Sequence, residues 1–438
     1  MTTSLGAIAK KAASDKGYRF QDLYGMLNES YLLGCWRGIN KKSAVGVDGI
    51  SARAYEGNLE ANVRDLVERL KQKRYRAPLV RRHYIPKEPG KMRPLGIPAT
   101  EDKLLQLGAA RILQAIWEED FLPCSFGYRP GVGAREAVKS LTVNLQEEPY
   151  RVVVEADIKG FFDHLDHAWL IRMLEQRIDD KAFLRLIEKW LKAGILDTTG
   201  MVIDPQTGSP QGGIVSPVLA NIYLHYALDL WFYRVFQKSC RGKSLLCRYA
   251  DDFVCAFERP EDAERFHEAV KERLAKFGLD TASEKTKVIP FGGKDTTGGE
   301  PFDFLGFEFR WMKTRSGQRY IGRRTSRKRL RRALMNFTAW IKQWRWLNLK
   351  TLMDALNRKL QGHYNYYGVL GNYEGIQQFH WELKRLLFKW LNRRSQRSSY
   401  TVEGFQQMLK TYKLARPRVT EKPDIPVTIL SCPRQVSK

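Results

Sequence analysis

The sequence lacks the features that would place the protein in a membrane or outside the cell. It contains no run of about 18 apolar residues, so we expect no transmembrane helix. The N-terminal segment, Met1 to Lys11, is too polar for a secretory signal peptide. The 6 cysteines form no Cys-x-x-Cys pair and no cluster with histidine, which argues against structural zinc. We therefore expect a reduced, intracellular protein with no membrane partner.

Acidic residues are scarce in the last part of the chain. Residues 310–438 contain 29 Lys and Arg but 6 Asp and Glu, whereas the first 309 residues are close to neutral. Most of the net charge of +26 therefore belongs to one end of the chain. A cationic excess of this size indicates a polyanion partner, and nucleic acid is the favoured one. An anionic membrane is the weaker candidate, because the aromatics between these charges are better explained as core.

An acidic pair interrupts an apolar segment in the middle of the chain. Two short β-prone runs between Leu245 and Phe257 flank Asp251 and Asp252. This pattern predicts a β-hairpin with the carboxylates at or beside its turn. Adjacent carboxylates repel each other unless a cation lies between them. Because Asp is also an ordinary turn residue, the pair alone is a weak signal.

A second acidic position strengthens that signal. Val152 to Ile158 predicts a buried strand, with Asp157 near its exit. A carboxylate at a strand end together with a pair at a hairpin tip suits phosphoryl transfer with two Mg²⁺ ions about 3.5–4 Å apart. The alternative for Asp157 is a helix N-cap. We favour the first interpretation and expect Asp157, Asp251 and Asp252 to be both catalytic residues and metal ligands.

Three further segments carry candidate binding residues. Val80 to Pro98 predicts a hairpin projecting Lys87 and Arg93, which suits either a clamp on a triphosphate or an ordinary solvated basic surface. Phe162 follows Asp157, and core filling is the default for it, with a wall of a substrate pocket as the alternative. The Gly-rich segment Thr207–Pro217 opens a helix and could present backbone N–H groups to a ligand.

The chain beyond Gly322 interleaves basic and aromatic residues at helical spacing. We expect most of the aromatics to form a helical-bundle core with the charges facing outward. These aromatics are Trp340, Trp344, Trp346, Tyr364, Tyr366, Tyr367, Trp381, Phe388 and Trp390. Such a basic surface also suits the binding of phosphates and the stacking of bases. The expected RNA- or DNA-binding residues are Arg323, Arg324, Arg327, Lys328, Arg331, Arg332, Lys389, Arg393 and Arg394.

Helices and strands alternate along the rest of the chain. Helices are predicted over Tyr55–Lys73, Asp102–Asp120, Ala168 to about Ala193, and Glu261–Phe277, and one strand over Phe304–Arg310. Helices alternating with antiparallel strands after Asp157 predict an α+β core.

Several segments in this order resemble one family, the bacterial group II intron reverse transcriptases/maturases, across roughly residues 20–415. The matching segments are Ile85-Pro-Lys87, Arg93-Pro-Leu-Gly-Ile-Pro98, Ser125-Phe-Gly-Tyr-Arg-Pro-Gly131, Asp157-Ile-Lys-Gly-Phe-Phe-Asp163, Ser209 to Ile222, Arg248-Tyr-Ala-Asp-Asp252, Ser283-Glu-Lys-Thr286, Phe304-Leu-Gly-Phe307 and Leu356 to Gly368.

The resemblance implies a right-hand polymerase in four parts. These are fingers with an N-terminal extension (1–150), a palm with an antiparallel sheet and packed helices (151–312), a basic α-helical thumb or maturase domain (313–412), and a short tail (413–438). It assigns nucleotide binding to Lys87, Arg93, Gln211 and Phe162, where the Phe162 ring would exclude a 2′-hydroxyl. It makes Phe304–Phe307 the primer grip.

The implied function is an RNA-directed DNA polymerase that also binds its intron RNA as a splicing maturase and supports retrohoming. The implied cofactors are two Mg²⁺ ions, with Mn²⁺ able to substitute. The implied partners are structured intron RNA, an RNA template with a DNA primer, target DNA and dNTPs, in the bacterial cytoplasm or on the nucleoid. Longer members carry an HNH endonuclease, and nothing after Tyr412 resembles its Cys/His cluster.

Two alternatives stay open at this point. One is a domesticated reverse transcriptase working in defence, spacer acquisition or DNA repair. The other is an RNA-binding maturase whose polymerase is idle, although an idle site has no physical reason to keep three clustered carboxylates.

Overall fold

The computed structural model describes residues 4–88, 91–209, 212–282, 284, 286–293, 298–394 and 399–422. The elements of the first part are α1 (Leu5–Ser14), α2 (Glu29–Trp36), α3 (Ala52–Glu56), α4 (Leu59–Lys71), β1 (Val80–Glu88), β2 (Lys91–Ile97), α5 (Thr100–Trp117), α6 (Ala134–Glu147), β3 (Val152–Asp157) and a 3₁₀ turn (Phe161–Asp163).

The middle and last parts continue in the same alternating manner. The middle elements are α7 (His167–Leu174), α8 (Lys181–Leu191), β4 (Ile195–Leu196), β5 (Val202–Ile203), α9 (Ser216–Leu224) extended by π-helical turns, α10 (Gln237–Ser239), β6 (Ser244–Tyr249), β7 (Asp252–Phe257) and α11 (Pro260–Ala275). The last elements are β8 (Lys287–Pro290), β9 (Phe302–Phe304), β10 (Phe307–Lys313), β11 (Arg319–Thr325), α12 (Arg327–Trp344), α13 (Leu349–Tyr367), α14 (Tyr373–Leu391) and α15 (Val402–Thr411).

The chain forms two compact units, and it passes between them several times. Unit 1 comprises Met1–Gly131, Asp157–Ser239 and Phe266–Glu284. Unit 2 comprises Val132–Ala156, Cys240–Arg265 and Lys285–Lys438. The finer division into fingers, palm and thumb at residues 150 and 312 stays a prediction.

Unit 1 combines helices with a small mixed sheet of order β2-β1-β4-β5. β1 and β2 are antiparallel, as the hairpin prediction required, and β1 is parallel to β4. Helix α5 supplies apolar side chains to the core, because Leu104, Leu105, Ile112, Leu113 and Ile116 are all buried. This helix forms where its apolar spacing predicts it.

Two predicted helices of unit 1 are each interrupted. The segment Tyr55–Lys73 is divided by Gly57, which ends α3 before α4 begins. The segment Ala168–Ala193 is divided at Asp180, whose side chain accepts hydrogen bonds from the backbone N–H groups of Ala182 (2.9 Å) and Phe183 (3.0 Å). Gly favours helix ends and Asp favours N-caps, so both interruptions have a local cause.

Unit 2 contains two antiparallel sheets. One has the order β6-β7-β3-β8 and the other the order β11-β10-β9. Strands β6 and β7 are buried along almost their whole length, as are residues 152–154 of β3. The α+β prediction with antiparallel strands is confirmed by these sheets and their flanking helices.

Helices α12 to α15 of unit 2 pack around a mixed core of aliphatic residues and the aromatics Phe337, Tyr364, Phe379 and Phe405. Its fully buried members include Ile341, Leu356, Leu383 and Leu387. The expectation that most aromatics would fill this core was wrong for Trp344, Trp346 and Trp381, which are 41%, 63% and 55% exposed. Helical spacing shows which residues share a face, but other side chains already occupy the buried face here. Among the described residues, no helix combines the length and apolar character needed to cross a bilayer.

Candidate active site

The acidic pair lies at the tip of a tight β-hairpin. β6 and β7 are antiparallel, and the pairing of Tyr249 with Asp252 leaves Ala250 and Asp251 as a two-residue turn. Ala250 has a φ of +56°, a conformation that L-residues rarely adopt and that two-residue hairpins usually assign to Gly. The predicted hairpin is therefore confirmed, and it carries local backbone strain beside its carboxylates.

Arg248 supports this turn from inside the hairpin. Its side chain is fully buried, and its Nη1 donates a hydrogen bond to the backbone O of Ala250 at 3.1 Å. A buried guanidinium is costly unless it is hydrogen-bonded, so its presence indicates a fixed turn conformation. Arg248 was not predicted as a functional residue, although a charged residue inside an apolar strand is a visible signal.

Asp157 is the last residue of β3, as predicted. Its backbone O accepts a hydrogen bond from the N–H of Ala282 at 2.8 Å, which fixes the chain as it leaves the strand. The alternative of a helix N-cap was wrong. The next helix is α7, and the residue that caps it is Asp166, which accepts from the N–H of Trp169 at 2.8 Å.

Within unit 2, the sheet order brings the end of β3 and the start of β7 to one edge. β7 and β3 are neighbours, and the N–H of Arg151 donates to the O of Phe257 at 2.8 Å, so the strands are antiparallel. The end of β3 at Ala156 and the start of β7 at Asp252 therefore lie at the same edge of the sheet. Asp157 follows Ala156 directly in the chain.

Negative charge accumulates near this edge within unit 2. Burial, first, and the neighbouring carboxylates of Asp303 and Asp252 raise the pKa of Glu155 to about 7, against the opposing effect of Lys287. Repulsion between carboxylates is the physical signature of a site that favours a cation. Within the residues described, no three His, Cys, Asp or Glu side chains are grouped closely enough to hold a metal ion. Metal binding by the three aspartates therefore stays a prediction.

Phe162 belongs to a turn that the Gly-rich segment covers, all within unit 1. The N–H of Ser209 donates to the O of Phe162 at 2.8 Å. Gly208 has a φ of +91°, and a Cβ there would lie 2.9 Å from that same O. The close backbone approach expected of this Gly-rich segment is thus made, but to the protein's own turn. Gln211 lies outside the described residues.

Phe162 is mostly buried and also lines a cavity. Its ring packs edge-on against Tyr128, with 6.3 Å between centroids. The cavity, of about 300 Å³, is lined by Phe162 together with Arg82, Pro94, Gly96, Thr207 and Gly208. Phe162 therefore both fills the core and lines a pocket, so the two interpretations of its role are compatible. The role of Phe162 in nucleotide choice stays a prediction.

The candidate nucleotide contacts of β1 and β2 are only partly described. Arg93 is exposed and pairs with Ile85 across the β1–β2 hairpin. Lys87 lies in β1 next to a bulge, and its side chain lies outside the described residues.

The predicted strand Phe304–Arg310 was wrong, because the chain reverses within it. Phe304 pairs with Phe307, and Leu305 and Gly306 form a two-residue turn with φ values of +50° and +83°. The first strand of this hairpin is β9 and the second is β10. A Leu with positive φ is uncommon, so the sequence favoured a continuous strand.

Tyr366 of α13 holds this turn. Its hydroxyl donates to the O of Leu305 at 2.8 Å, and its ring stacks on Phe307 with 5.9 Å between centroids. Desolvation of the hydroxyl, first, and then the charges of Tyr367, Tyr249 and Asp252 raise the pKa of Tyr366 to about 12. Tyr366 thus lies close to both the β9–β10 turn and the acidic hairpin of unit 2. This role of Tyr366 was not predicted, because its position in a helix does not reveal which turn its hydroxyl contacts.

Two of the expected nucleic-acid contacts have structural partners instead. Arg323 is 7% exposed and forms a two-pronged ion pair with Glu421, at 3.0 and 2.9 Å. Arg394 donates to the backbone O of Leu347 at 2.9 Å and also to that of Arg345. Both guanidiniums are occupied by the fold, so we correct these two assignments.

The remaining basic candidates differ in exposure. Arg324 and Arg332 are half-buried, and the exposed ones are Arg327, Lys328, Arg331, Lys389 and Arg393. Arg393 lies over the ring of Trp390, 5.3 Å from its centroid. These residues are accessible to a ligand, and their binding role stays a prediction.

Comparison with known proteins identifies the class. Residues 85–309 match the family model described as reverse transcriptase (RNA-dependent DNA polymerase). The chain therefore belongs to the reverse transcriptase family.

Two curated relatives narrow this assignment. The chain is 33% identical over 281 residues to protein YkfC of Escherichia coli, which covers 56% of this chain and 73% of that protein. It is 37% identical over 223 residues to the group II intron-encoded protein LtrA of Lactococcus lactis, covering 50% of this chain but 37% of LtrA. Within the reverse transcriptases, the chain is thus similar to a group II intron-encoded protein over about half of its length.

Among solved structures, the chain is similar to a telomerase from Candida albicans in complex with a fragment of telomeric RNA. The TM-score is 0.44 at 14% sequence identity, over 83% of this chain and 68% of that one. This likeness is too distant to support any inference about the chain.

Proposed function

We propose that the protein is an RNA-directed DNA polymerase that extends a DNA primer on an RNA template. The observation that carries the proposal is the strained β6–β7 hairpin with Asp251 and Asp252 at its tip, beside the end of the strand that leads to Asp157. Oxygen-only ligands of this kind fit a hard divalent cation such as Mg²⁺, and we assign its binding to these three carboxylates.

The reaction joins the primer to a dNTP and releases pyrophosphate. The oxygen of the primer's 3′-hydroxyl forms a bond to the α-phosphorus as its proton passes to water, and the bond from that phosphorus to the bridging oxygen breaks. Bound divalent ions would supply neutralisation of the negative charge that develops during this exchange. The chain's own residues would orient the reactants.

Each orienting role falls to a particular side chain or turn. We assign the dNTP phosphates to Lys87 and Arg93, since Arg presents a fork that matches phosphate oxygens. Gln211 would contact the nucleotide, and the Phe162 ring would exclude a 2′-hydroxyl. The Leu305–Gly306 turn, held by Tyr366, would support the primer terminus.

We further propose that the protein binds intron RNA as a splicing maturase, and target DNA during retrohoming. The similarity to LtrA, a group II intron-encoded protein, supports this role. The basic segment 310–438 supports nucleic-acid binding in general, through backbone contacts that weaken with salt. We expect the protein to act in the bacterial cytoplasm, and on the nucleoid when it binds DNA.

Primer extension tests the polymerase assignment. The wild type, Asp251→Asn and the control Asp354→Asn, which removes an exposed carboxylate of α13, are compared on an RNA template with Mg²⁺ and dNTPs. We expect the Asp251 variant to lose at least about 10³-fold in rate, since it removes a ligand for the charge-neutralising ions. The control should match the wild type.

Binding of the same primer–template separates chemistry from recognition. Both variants should bind it as the wild type does, because neither removes a cation. Extension by Asp251→Asn at the wild-type rate would contradict the assignment. A wild type that binds RNA but never extends the primer would favour the idle maturase.

A further inference from the structure

A buried amide side chain of α5 supports the Gly-rich segment of unit 1. Gln106 lies between Leu105 and Leu107 on the helix, and its side chain is buried. Burying an amide costs free energy unless it is hydrogen-bonded, so its partner indicates why it is there. The Oε1 of Gln106 accepts a hydrogen bond from the backbone N–H of Ile214 at 2.9 Å. The helix therefore holds one end of the Gly-rich segment.

A pair of serines holds the other end. The hydroxyl of Ser209 donates to the hydroxyl of Ser216 at 2.7 Å, and both side chains are buried. The N–H of Ser209 also donates to the O of Phe162, so this residue is fixed on two sides. Between Ser209 and Ile214 lie residues 210–213, two of which are Gly. A stretch rich in Gly has few side chains to pack, so its position depends on the anchors at its ends.

Gly212 packs this segment against β2. It has a φ of +115°, and a Cβ there would lie 2.5 Å from the backbone O of Gly96. A residue with a side chain could not approach that strand so closely. Arg93 lies in the same strand, three residues before Gly96. The strand that carries one proposed nucleotide contact is therefore in direct contact with the segment that contains another, Gln211.

A small cavity between α5 and the Gly-rich segment leaves little room for rearrangement. Its volume is about 10 Å³, close to the space that one water molecule needs. Four buried polar side chains line it, those of Asp102, Gln106, Ser209 and Ser216. One wall is itself fixed, because Asp102 accepts a hydrogen bond from the hydroxyl of Tyr75 at 2.6 Å. Without the Gln106 acceptor, the segment would either shift or keep a buried N–H unsatisfied.

We propose that Gln106 is a positioning residue for nucleotide binding, which holds the Gly-rich segment so that Gln211 meets the incoming dNTP. This role rests on the proposed function, which assigns Gln211 to the nucleotide. Gln106 acts through the backbone of Ile214, and the pair of Ser209 and Ser216 supports the same segment from its other end. The metal-binding carboxylates lie on other elements, so the role concerns nucleotide affinity more than the rate of chemistry.

Single-nucleotide incorporation on an RNA template tests this role. Gln106→Met keeps the length of the side chain and removes the acceptor, whereas Gln106→Glu keeps an oxygen that accepts in either protonation state. Ser216→Ala removes the anchor at the other end. The control is Thr100→Val on the same helix, which removes a buried hydroxyl that donates to the O of Ile50 at 2.6 Å and does not line the cavity. Urea unfolding shows which variants are folded.

We expect Gln106→Met to raise the KM for the matching dNTP about 10-fold and to change kcat by less than about 3-fold, because a displaced segment weakens nucleotide binding. Ser216→Ala should raise the KM in the same direction, by about 3-fold. Gln106→Glu should keep most of the wild-type affinity. Thr100→Val should leave both constants unchanged, even where it lowers stability.

An unchanged KM in a folded Gln106→Met would overturn the proposal, as would an equal rise in Thr100→Val. An equal rise in Gln106→Glu and Gln106→Met would overturn the role of the hydrogen bond. If Gln106→Met does not fold, a wild-type KM in Ser216→Ala together with one in Gln106→Glu would contradict the positioning role.

Binding of the matching dNTP, measured by calorimetry with a chain-terminated primer on its template, separates this role from the polymerase assignment. We expect the same order of affinities as in the KM values. A wild type that binds the dNTP but never extends a primer would count against the polymerase alone. Equal dNTP affinities in the wild type and Gln106→Met would count against Gln106 alone, and a wild type that binds no dNTP would overturn both.

Discussion

Two regions of unit 2 each bury an arginine, and they support it in different ways. Arg248 lies in the β6–β7 hairpin and donates to the O of Ala250, two residues further along the chain. Arg323 lies in β11 and pairs with Glu421, 98 residues further along. Glu421 also accepts from the N–H of Leu370 at 2.6 Å and is itself buried.

The two contacts have different roles, because one fixes the geometry of a turn and the other stabilises the fold. The Arg248 contact is local and fixes the turn that carries Asp251, so its loss should mainly affect chemistry. The Arg323–Glu421 pair joins β11, the α13–α14 connection and the segment after α15, so its loss should mainly affect folding. Breaking a buried pair leaves an uncompensated charge, whereas weakening a turn moves only a few atoms.

The largest expected effect is a loss of protein stability when the Arg323–Glu421 pair is broken. Glu421→Ala should lower the free energy of unfolding by about 3–5 kcal/mol, because Arg323 would stay buried without its partner. Urea unfolding followed by circular dichroism measures this, with the exposed Glu403→Ala as the control. The double variant Arg323→Met/Glu421→Leu should recover most of the loss. A cost below about 1 kcal/mol for Glu421→Ala would place this pair with ordinary surface ion pairs.

Replacing Arg248 should affect catalysis more than it affects stability. Arg248→Lys keeps a positive charge but loses the fork that reaches Ala250, so the turn carrying Asp251 should shift. We expect kcat for primer extension to fall about 30-fold, with the dNTP KM changed by less than about 3-fold. Single-nucleotide incorporation at a temperature where the variant is folded measures both. A folded Arg248→Lys variant with the wild-type kcat would contradict the assignment of Arg248 as the residue that positions this turn.

Low pH should destabilise the helical region formed by α12 to α15. Burial lowers the pKa of His363 and of His380 to about 4, from an ordinary value of 6.5. Both are therefore neutral in the folded protein, while the unfolded chain takes up protons first as the pH falls. Their stability contribution is complete above pH 6.5 and is lost as the pH falls towards 4.

Between pH 7 and pH 5 we expect unfolding to become easier by about 1–2 kcal/mol, allowing for partial exposure of both rings. His363→Phe should reduce this dependence and keep the stacking on Phe379, now 3.8 Å between centroids. Unfolding at both pH values is compared with the exposed control His83→Gln. An undiminished pH dependence in His363→Phe would assign the effect to other groups.

The smallest expected effect is a gain in protein stability. Ala250→Gly should stabilise the protein by about 0.5–1 kcal/mol, because Gly adopts the positive φ of this turn without steric cost. Denaturant midpoints at constant slope measure the change. A net loss of stability would mean that the Ala250 methyl group contributes packing that exceeds the strain.

The local patterns of the sequence predicted the elements around Asp157, Asp251 and Asp252 well. Alternating apolar runs around an acidic pair predict a hairpin from neighbouring residues alone. A buried apolar run that ends in Asp157 likewise predicts a strand end. The helix α5 and the β1–β2 hairpin were also predictable, because their signals are periodic and local.

The features that were wrong or missed depend on contacts between distant residues or on rare backbone conformations. The basic run containing Arg323 predicts a charged surface, and only a residue 98 positions away shows that this side chain is buried. The turn at Leu305 requires a Leu with positive φ, which no propensity favours. Trp344, Trp346 and Trp381 remain exposed because other residues, aliphatic and aromatic, already fill the core of these helices.

The central claim is that the aspartates at the end of β3 and at the β6–β7 turn form one divalent-metal centre. Mn²⁺ binding followed by electron paramagnetic resonance tests it most directly, with a chain-terminated primer on an RNA template and a matching dNTP present. We predict that the wild type and Asp354→Asn bind about two Mn²⁺ ions that Asp157→Asn and Asp251→Asn fail to bind. The same number of bound ions in all four proteins would contradict the account.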